Sequence, residues 1–302
     1  GLAGALDDPE ADLTVFAPTD AAFVGLAQTL GFTGTDEGAA FSYIVTSLTL
    51  LSGGGDPIPL LTDILLYHVA PGTLDADAVL AAETLPTLLN VDLGVDGLNL
   101  VDRDPDIADP EIIATNLAAS NGIAHAIDGV LIPVDLLTGD GSRASVDFKI
   151  GDDGNEVFRT GGNTDFVAGE GGHDRIYLGR GDDVGLGGEG DDRLFGGSGN
   201  DRLDGGAGHD VLNGGRGNDA LVGGEDADRF VFNGRSGADV IEDFTVGEDV
   251  IALRIHGVND FDDLEGHISD TDAGAVIELA HTRITLEGVE ARALTEADFL
   301  FH

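Results

Sequence analysis

From residue 151 the chain falls into a nine-residue register that few folds can accommodate. Aspartate recurs at Asp165, Asp174, Asp183, Asp192, Asp201, Asp210, Asp219 and Asp228, each nine positions after the last, and Glu156 fills the preceding slot. Two residues beyond each marker stands an apolar column of Phe158, Val167, Ile176, Leu194, Leu203, Leu212, Leu221 and Phe230, broken by Gly185. Glycine pairs precede the markers, as in GGEGDDRLFGGSGNDRLDGGAGHDVLNGG (187–215). After a two-residue slip, GRSGADVI (234–241) reads as a tenth, weaker copy containing Asp239.

This period specifies a coil. Glycines admit the positive φ and close approach that a tight turn requires. The triplet around each apolar residue is a minimal strand whose central side chain points inward. Two nonapeptides complete one turn, so markers eighteen apart stack on the same edge. Asp165, Asp183, Asp201 and Asp219 then form one file, and Asp174, Asp192, Asp210 and Asp228 the other. Nine repeats predict about four and a half coils, roughly 20 Å long at the ~4.8 Å strand spacing.

One inward aliphatic residue per repeat is little burial to set against ordering a glycine-rich chain and stacking its carboxylates. A hard divalent cation between turns reverses the sign of the carboxylate contribution, taking six to eight oxygens from side chains and turn carbonyls. Zinc or copper would call for His or Cys, yet His173 and His209 occur only sporadically and the chain has no cysteine, so Ca2+ fits best. About five to eight ions are expected for paired turns. The candidate ligands are the eight aspartates together with the turn residues Gly188, Gly190, Gly197, Gly199, Gly206 and Gly208.

The net charge of −43, from 57 acids and 14 bases, opposes nucleic acid and anionic membranes as partners. No apolar run reaches the roughly 18 residues of a membrane span. Neither disulfides nor thiolate sites are available.

Residues 151 to 241 resemble the hemolysin-type calcium-binding repeats of RTX exoproteins, whose template is G-G-x-G-x-D-x-U-x. DRFVF (228–232), DVIEDFTVGEDVIAL (239–253), ITLEGV (284–289) and LTEADFLF (294–301) resemble the C-terminal module of serralysin-type proteins. That resemblance implies a cap over the open end of the roll and a signal for type I export, with Asp298-Phe299-Leu300-Phe301 as its acidic-then-apolar ending.

The first half reads differently. Phe23, Leu26, Ala27 and Leu30 have helical spacing, with Thr19 as N-cap and Asp20 in the first turn. Thr14–Phe16 and the run Ile127 to Val134 have strand composition. TVFAPTDAAF (14–23), LLYHV (65–69) and NGIAHAIDGVLIP (121–133), in this order, resemble a fasciclin (FAS1) domain. The resemblance implies a compact α+β fold associated with cell adhesion and extracellular matrix. It also implies a first residue inside the domain, because the family's first helix is mostly missing. Tyr67 and His68 are expected to make internal hydrogen bonds, and Asn121 and His125 to fix a turn and a strand. The Tyr67-His68 pair also overlaps a segment linked to receptor binding in animal relatives.

The expected fold is therefore an α+β FAS1 domain (1–136), a linker (137–150), an all-β parallel β-roll (151–231) and a C-terminal β cap with export signal (232–302). The chain lacks HExxH, G-x-S-x-G and any cysteine nucleophile, and is read as a non-enzyme. Arg180-Gly181-Asp182 falls on repeat positions, and DRDPDIADPEII (102–113) lacks the glycine and final glutamate of an EF-hand. The reading is a secreted or cell-surface calcium-binding adhesion or matrix protein, exported by a type I system. Its partner is an extracellular protein, a polysaccharide or a second copy, with no nucleic acid and no membrane span. The alternatives are a self-assembling surface-layer or filament subunit and the remnant of a larger secreted enzyme.

Overall fold

A computed structural model describes residues 11–53, 55–104, 107–119, 121–133, 148–264 and 266–302. The chain divides between residues 144 and 145 into two compact units.

In the first unit, β1 (Leu13–Pro18) leads into α1 (Asp20–Leu30), α2 (Glu37–Leu51) and α3 (Ile58–Tyr67). There follow β2 (Val69–Pro71), α4 (Ala76–Leu80), β3 (Thr84–Leu85), β4 (Leu93–Asp96), β5 (Asn99–Val101), β6 (Ile112–Ala119) and β7 (Gly122–Ile127). One sheet has the order β2-β1-β7-β6, with β1 parallel to β7; β3, β4 and β5 form a second, antiparallel sheet. The Thr19 hydroxyl accepts the Ala22 N–H at 3.3 Å and starts α1 as the cap chemistry requires. The helix buries Leu26, Ala27 and Leu30 against Ala40, Ile44 and Leu48 of α2.

The polar residues of the three motif segments in this unit make internal hydrogen bonds. The Tyr67 hydroxyl donates to the Asp92 carbonyl, and His68 Nδ1 lies 2.7 Å from the Ile64 carbonyl while Nε2 accepts the Leu131 N–H. Asn121 accepts the Leu13 N–H through its carbonyl, and His125 Nε2 meets the Leu74 carbonyl. The strand expected over Ile127 to Val134 stops at Ile127, and Val134 lies outside the described residues. Backbone donors that would continue a ladder are taken by side chains: Leu131 N–H by His68, and Ile132 N–H by Asp102 Oδ2.

The second unit opens with β8 (Phe148–Ile150), β9 (Val157–Arg159), β10 (Phe166–Gly171), β11 (Arg175–Arg180), β12 (Val184–Glu189) and β13 (Arg193–Ser198). It continues through β14 (Arg202–Ala207), β15 (Val211–Arg216), β16 (Ala220–Glu225), β17 (Arg229–Phe232), β18 (Gly237–Ile241) and β19 (Val250–Leu253). It ends with β20 (Ile268–Asp270), β21 (Gly274–Leu279), β22 (Thr282–Glu287) and β23 (Phe299–Phe301). Strands join alternately to two parallel sheets. The even-numbered sheet runs β8-β10-β12-β14-β16-β18-β22, and the odd-numbered one β9-β11-β13-β15-β17-β19-β23. Every inward residue from Val167 to Phe230 other than Gly185 is fully buried between them.

Two expectations change here. β8 pairs with β10, so residues 148–150 belong to the first coil and not to the linker. The sheets also run through residue 231 without a break: β18 adds to β16 and β19 to β17, which makes six coils up to Leu253. Beyond them, β22 and β23 extend the same sheets, and β21 and β20 fold back antiparallel on β22 to close that edge. The space inward of Gly185 is filled. Leu178 stands where other repeats carry their first glycine, and its Cδ1 lies 3.1 Å from the point where a Gly185 Cβ would sit.

Candidate metal centre

The marker aspartates form the two expected files, each residue no more than 2% exposed. What spacing does not reveal is that each carboxylate is divided between two tasks. Oδ1 accepts the backbone N–H of the marker one coil earlier. Asp183 Oδ1 takes the Asp165 N–H at 2.8 Å, Asp201 that of Asp183 at 3.0 Å, and Asp219 that of Asp201 at 2.9 Å. In the other file Asp174 takes the Glu156 N–H, Asp192 that of Asp174, Asp210 that of Asp192 and Asp228 that of Asp210, all within 2.7–2.9 Å. The files continue past the regular repeats to Asp239 and Asp249, which accept the N–H groups of Asp219 and Asp228. Asp249 was missed because it follows an insertion, although Asp249-Val250-Ile251 repeats the marker and its inward residue.

The second oxygen is left without a partner. Oδ2 of Asp174, Asp183, Asp192, Asp201, Asp210, Asp219, Asp228 and Asp239 is buried and makes no hydrogen bond, as is Oε2 of Glu156. An unpaired buried carboxylate oxygen is expensive, and eight in register mark a missing counter-charge. The file ends differ: Asp165 Oδ2 accepts the Gly161 N–H, and Asp249 Oδ2 the Thr245 N–H.

A first glycine of each pair lies beside these oxygens. A Cβ on Gly187 would overlap both Asp192 Oδ2 and the Gly205 carbonyl; on Gly196 it would overlap Asp201 Oδ2 and crowd the Gly214 carbonyl. The carboxylate oxygen of one coil and the carbonyl of the next thus surround a common point. Sequence reasoning selected the other glycines. Gly188, Gly197 and Gly206 lie within strands and Gly190, Gly199 and Gly208 just after them, all with φ between 102° and 135°. Their strongest constraint is close approach, since a Cβ on Gly190 would overlap the Gly172 carbonyl of the preceding coil. Where glycine is lacking, Asn163 and Asp226 adopt φ of 81° and 72°, which these residue types tolerate better than most.

Burial raises the affinity of these carboxyls for protons. Desolvation lifts Asp183, Asp192 and Asp219 to about 6 and Asp201, Asp210 and Asp228 to about 7, against the lowering effect of the bond each Oδ1 accepts. Neighbouring aspartates in the file add to the rise. Among the described residues no three His, Cys, Asp or Glu side chains converge on one point. A cation here would therefore rest on single carboxylate oxygens and surrounding carbonyls. That all-oxygen donor set suits Ca2+ and offers nothing to a nitrogen- or sulfur-seeking metal.

Residues 1–133 match the fasciclin domain family, and residues 150–184, 186–221 and 207–241 match the RTX calcium-binding nonapeptide repeat. No curated protein matches the chain. Among solved structures, it is similar to a subunit of the mannuronan C5-epimerase of Azotobacter vinelandii, at 29% identity and a TM-score of 0.30, over 37% of this chain and 74% of that one. It is also similar to an extracellular lipase of Serratia marcescens, at 16% identity and a TM-score of 0.32, over 59% of this chain and 44% of that one. No helix among the described residues is long and apolar enough to cross a membrane. The chain is a fasciclin domain followed by RTX nonapeptide repeats that fold as a β-roll and bind several calcium ions, a pairing of families typical of extracellular calcium-binding or adhesion proteins.

Proposed function

We propose that the chain is a secreted adhesion or matrix protein whose fasciclin domain contacts the partner and whose roll acquires its fold from calcium after export. The carrying observation is the register of eight orphaned Oδ2 atoms beside the glycine carbonyls of neighbouring coils. Each Oδ2, with the carbonyl of the first glycine one coil further on, supplies part of a calcium shell. Without the cation, every coil holds desolvated negative charge. In a calcium-poor cytosol that charge keeps the roll open and threadable for a type I exporter. Outside, calcium near the 10⁻⁴–10⁻³ M affinities of extracellular modules closes it, and binding free energy becomes folding free energy. No catalytic role is proposed.

A calcium titration of the full chain, followed by far-ultraviolet circular dichroism and by attachment to matrix-coated surfaces, tests both halves of this reading. Expected are a cooperative gain of β-structure in the sub-millimolar to millimolar range and attachment that follows the same curve. A spectrum identical with and without calcium would overturn the folding step. Attachment that remains absent at saturating calcium would overturn the adhesion reading. Light scattering that rises reversibly with calcium would replace adhesion by self-assembly.

A further inference from the structure

The arginines of this strongly acidic chain are not scattered. Strands β9, β11, β13, β15 and β17 of the odd-numbered sheet carry six arginines, Arg159, Arg175, Arg180, Arg193, Arg216 and Arg229, and no aspartate or glutamate. The even-numbered sheet behaves oppositely: β8 to β18 contain Glu170, Glu189, Asp204, Glu225 and Asp239 against Lys149 and Arg202. All six arginines are exposed, as is Arg235 beyond β17. Ion pairs among the described residues use Arg202, Arg283 and Arg292, so none of these seven is neutralised by a carboxylate of its own unit.

The register aligns them across coils. Arg175 pairs directly with Arg193, and the row continues through Val211 to Arg229. A parallel row runs Arg180, Ser198, Arg216 and borders an open groove of about 500 Å³ shared with Asn233 and Arg235. Between the two rows, the Tyr177 and Phe195 rings stack 4.8 Å apart, and the Arg159 guanidinium lies 4.8 Å above the other face of Tyr177. Like charges directly opposed across a sheet are destabilising unless a counter-ion sits over them.

We infer that this outer face of the roll binds an extended polyanion, specifically a linear polysaccharide bearing carboxylates. Guanidinium forks match carboxylates bidentately, and rows with arginines one or two strand spacings apart present them along a line. Nucleic acid fits less well. Its phosphates pack one charge per ~1.7 Å of duplex, which the surrounding acidic field opposes most strongly. The faces of Tyr177 that single-stranded bases would need for stacking are already covered. This face lies outside the fasciclin domain and outside the calcium files, so the inference goes beyond the adhesion reading and rests only on the calcium-folded roll.

The test is titration calorimetry of the full chain in calcium, with an oligogalacturonate too short to gel as the probe. A neutral glucan oligomer of equal length and a DNA duplex serve as comparisons. Two variants are compared with the wild type: Arg175→Gln/Arg193→Gln/Arg229→Gln and Arg180→Gln/Arg216→Gln/Arg235→Gln. Since the replaced side chains are exposed and of like charge, the calcium transition in circular dichroism should not shift to higher calcium, and that control separates loss of the face from loss of the fold. Expected is oligogalacturonate binding that weakens with salt and falls by roughly tenfold or more in each variant, the equivalent of losing a charge-assisted contact. No binding by the wild type, variants that both bind as tightly as the wild type, or binding of the glucan or the duplex as tight as that of the uronate would each overturn the inference.

Discussion

Two substitutions at Asp201 separate the tasks of its oxygens. In Asp201→Asn, a side-chain oxygen remains to accept the Asp183 N–H now held at 3.0 Å, while the orphaned Oδ2 is replaced by an amide NH2. In Asp201→Ala, both functions go. A charge-assisted contact contributes about 1.5–3 kcal/mol, which at 1.4 kcal/mol per decade is about a tenfold to hundredfold loss of calcium affinity in the asparagine variant. The alanine variant also strands the buried Asp183 N–H, a further cost of about 1–3 kcal/mol. Calcium titrations monitored by circular dichroism should therefore rank the folding midpoints wild type, Asp201→Asn, Asp201→Ala, from lowest to highest calcium. An asparagine variant that titrates like wild type would show that Oδ2 is not a ligand. Identical midpoints for the two variants would show that the ladder bond contributes nothing.

Acid should act on the roll carboxylates and on His68 in opposite directions. Asp183, Asp192 and Asp219 are raised to about 6 and Asp201, Asp210 and Asp228 to about 7 from 3.8, so without metal their contribution is most favourable below about 4 and is lost as pH rises through 6 to 7. Metal-stripped protein should thus gain roll structure when acidified from pH 7.5 to 4 in circular dichroism, and a flat response would contradict this. With calcium present, protons compete for the same oxygens, and affinity measured by calorimetry should fall as pH drops through 7. His68 is pushed down to about 4 by burial, so its contribution to the fasciclin domain is full above 6.5 and fades as pH falls towards 4. Asp102 of the same unit, lifted to about 7 by burial, responds in the opposite sense, so the His68 contribution is the difference between the melting-temperature pH profiles of the wild type and His68→Gln, which should widen from pH 4 to 6.5. In the core of the roll, Leu178→Gly should cost roughly 2–5 kcal/mol as a cavity and Gly185→Leu about 1–3 kcal/mol by overpacking. The double variant should recover most of both losses in denaturant titrations, whereas additive losses would mean that the two positions do not share one space.

The roll was legible because its period leaves so little freedom. An apolar residue every nine positions fixes which side chain points inward, and the single glycine two residues before each marker, as at Gly190, Gly199 and Gly208, falls where the chain turns. Local rules were blind to contacts made across coils. The Asp183 N–H finds Asp201 Oδ1 eighteen residues away, and nothing in one repeat says that the carboxylate is divided between a ladder and a cation. Gly185 reads in the sequence as a break in the apolar column, yet Leu178, at the first-glycine position of its repeat, fills the space beside it. Insertions blurred the later coils. β18 holds the tenth, weaker copy and β19 keeps the inward residue Ile251, but both depart from the nine-residue count, so the roll was ended at residue 231. In the first unit, Thr19 and the α1 face were readable from spacing alone. The end of β7 was not, because it depends on His68 and Asp102 reaching the backbone from distant segments.

Hydrogen exchange on the full chain, with calcium and after chelation at neutral pH, bears most directly on the idea that cations hold the roll together. Amides of residues 166–253 should be protected in calcium and exchange freely without it, while those of β1, β7 and α1 remain protected in both. Protection of residues 166–253 that survives chelation would contradict the account.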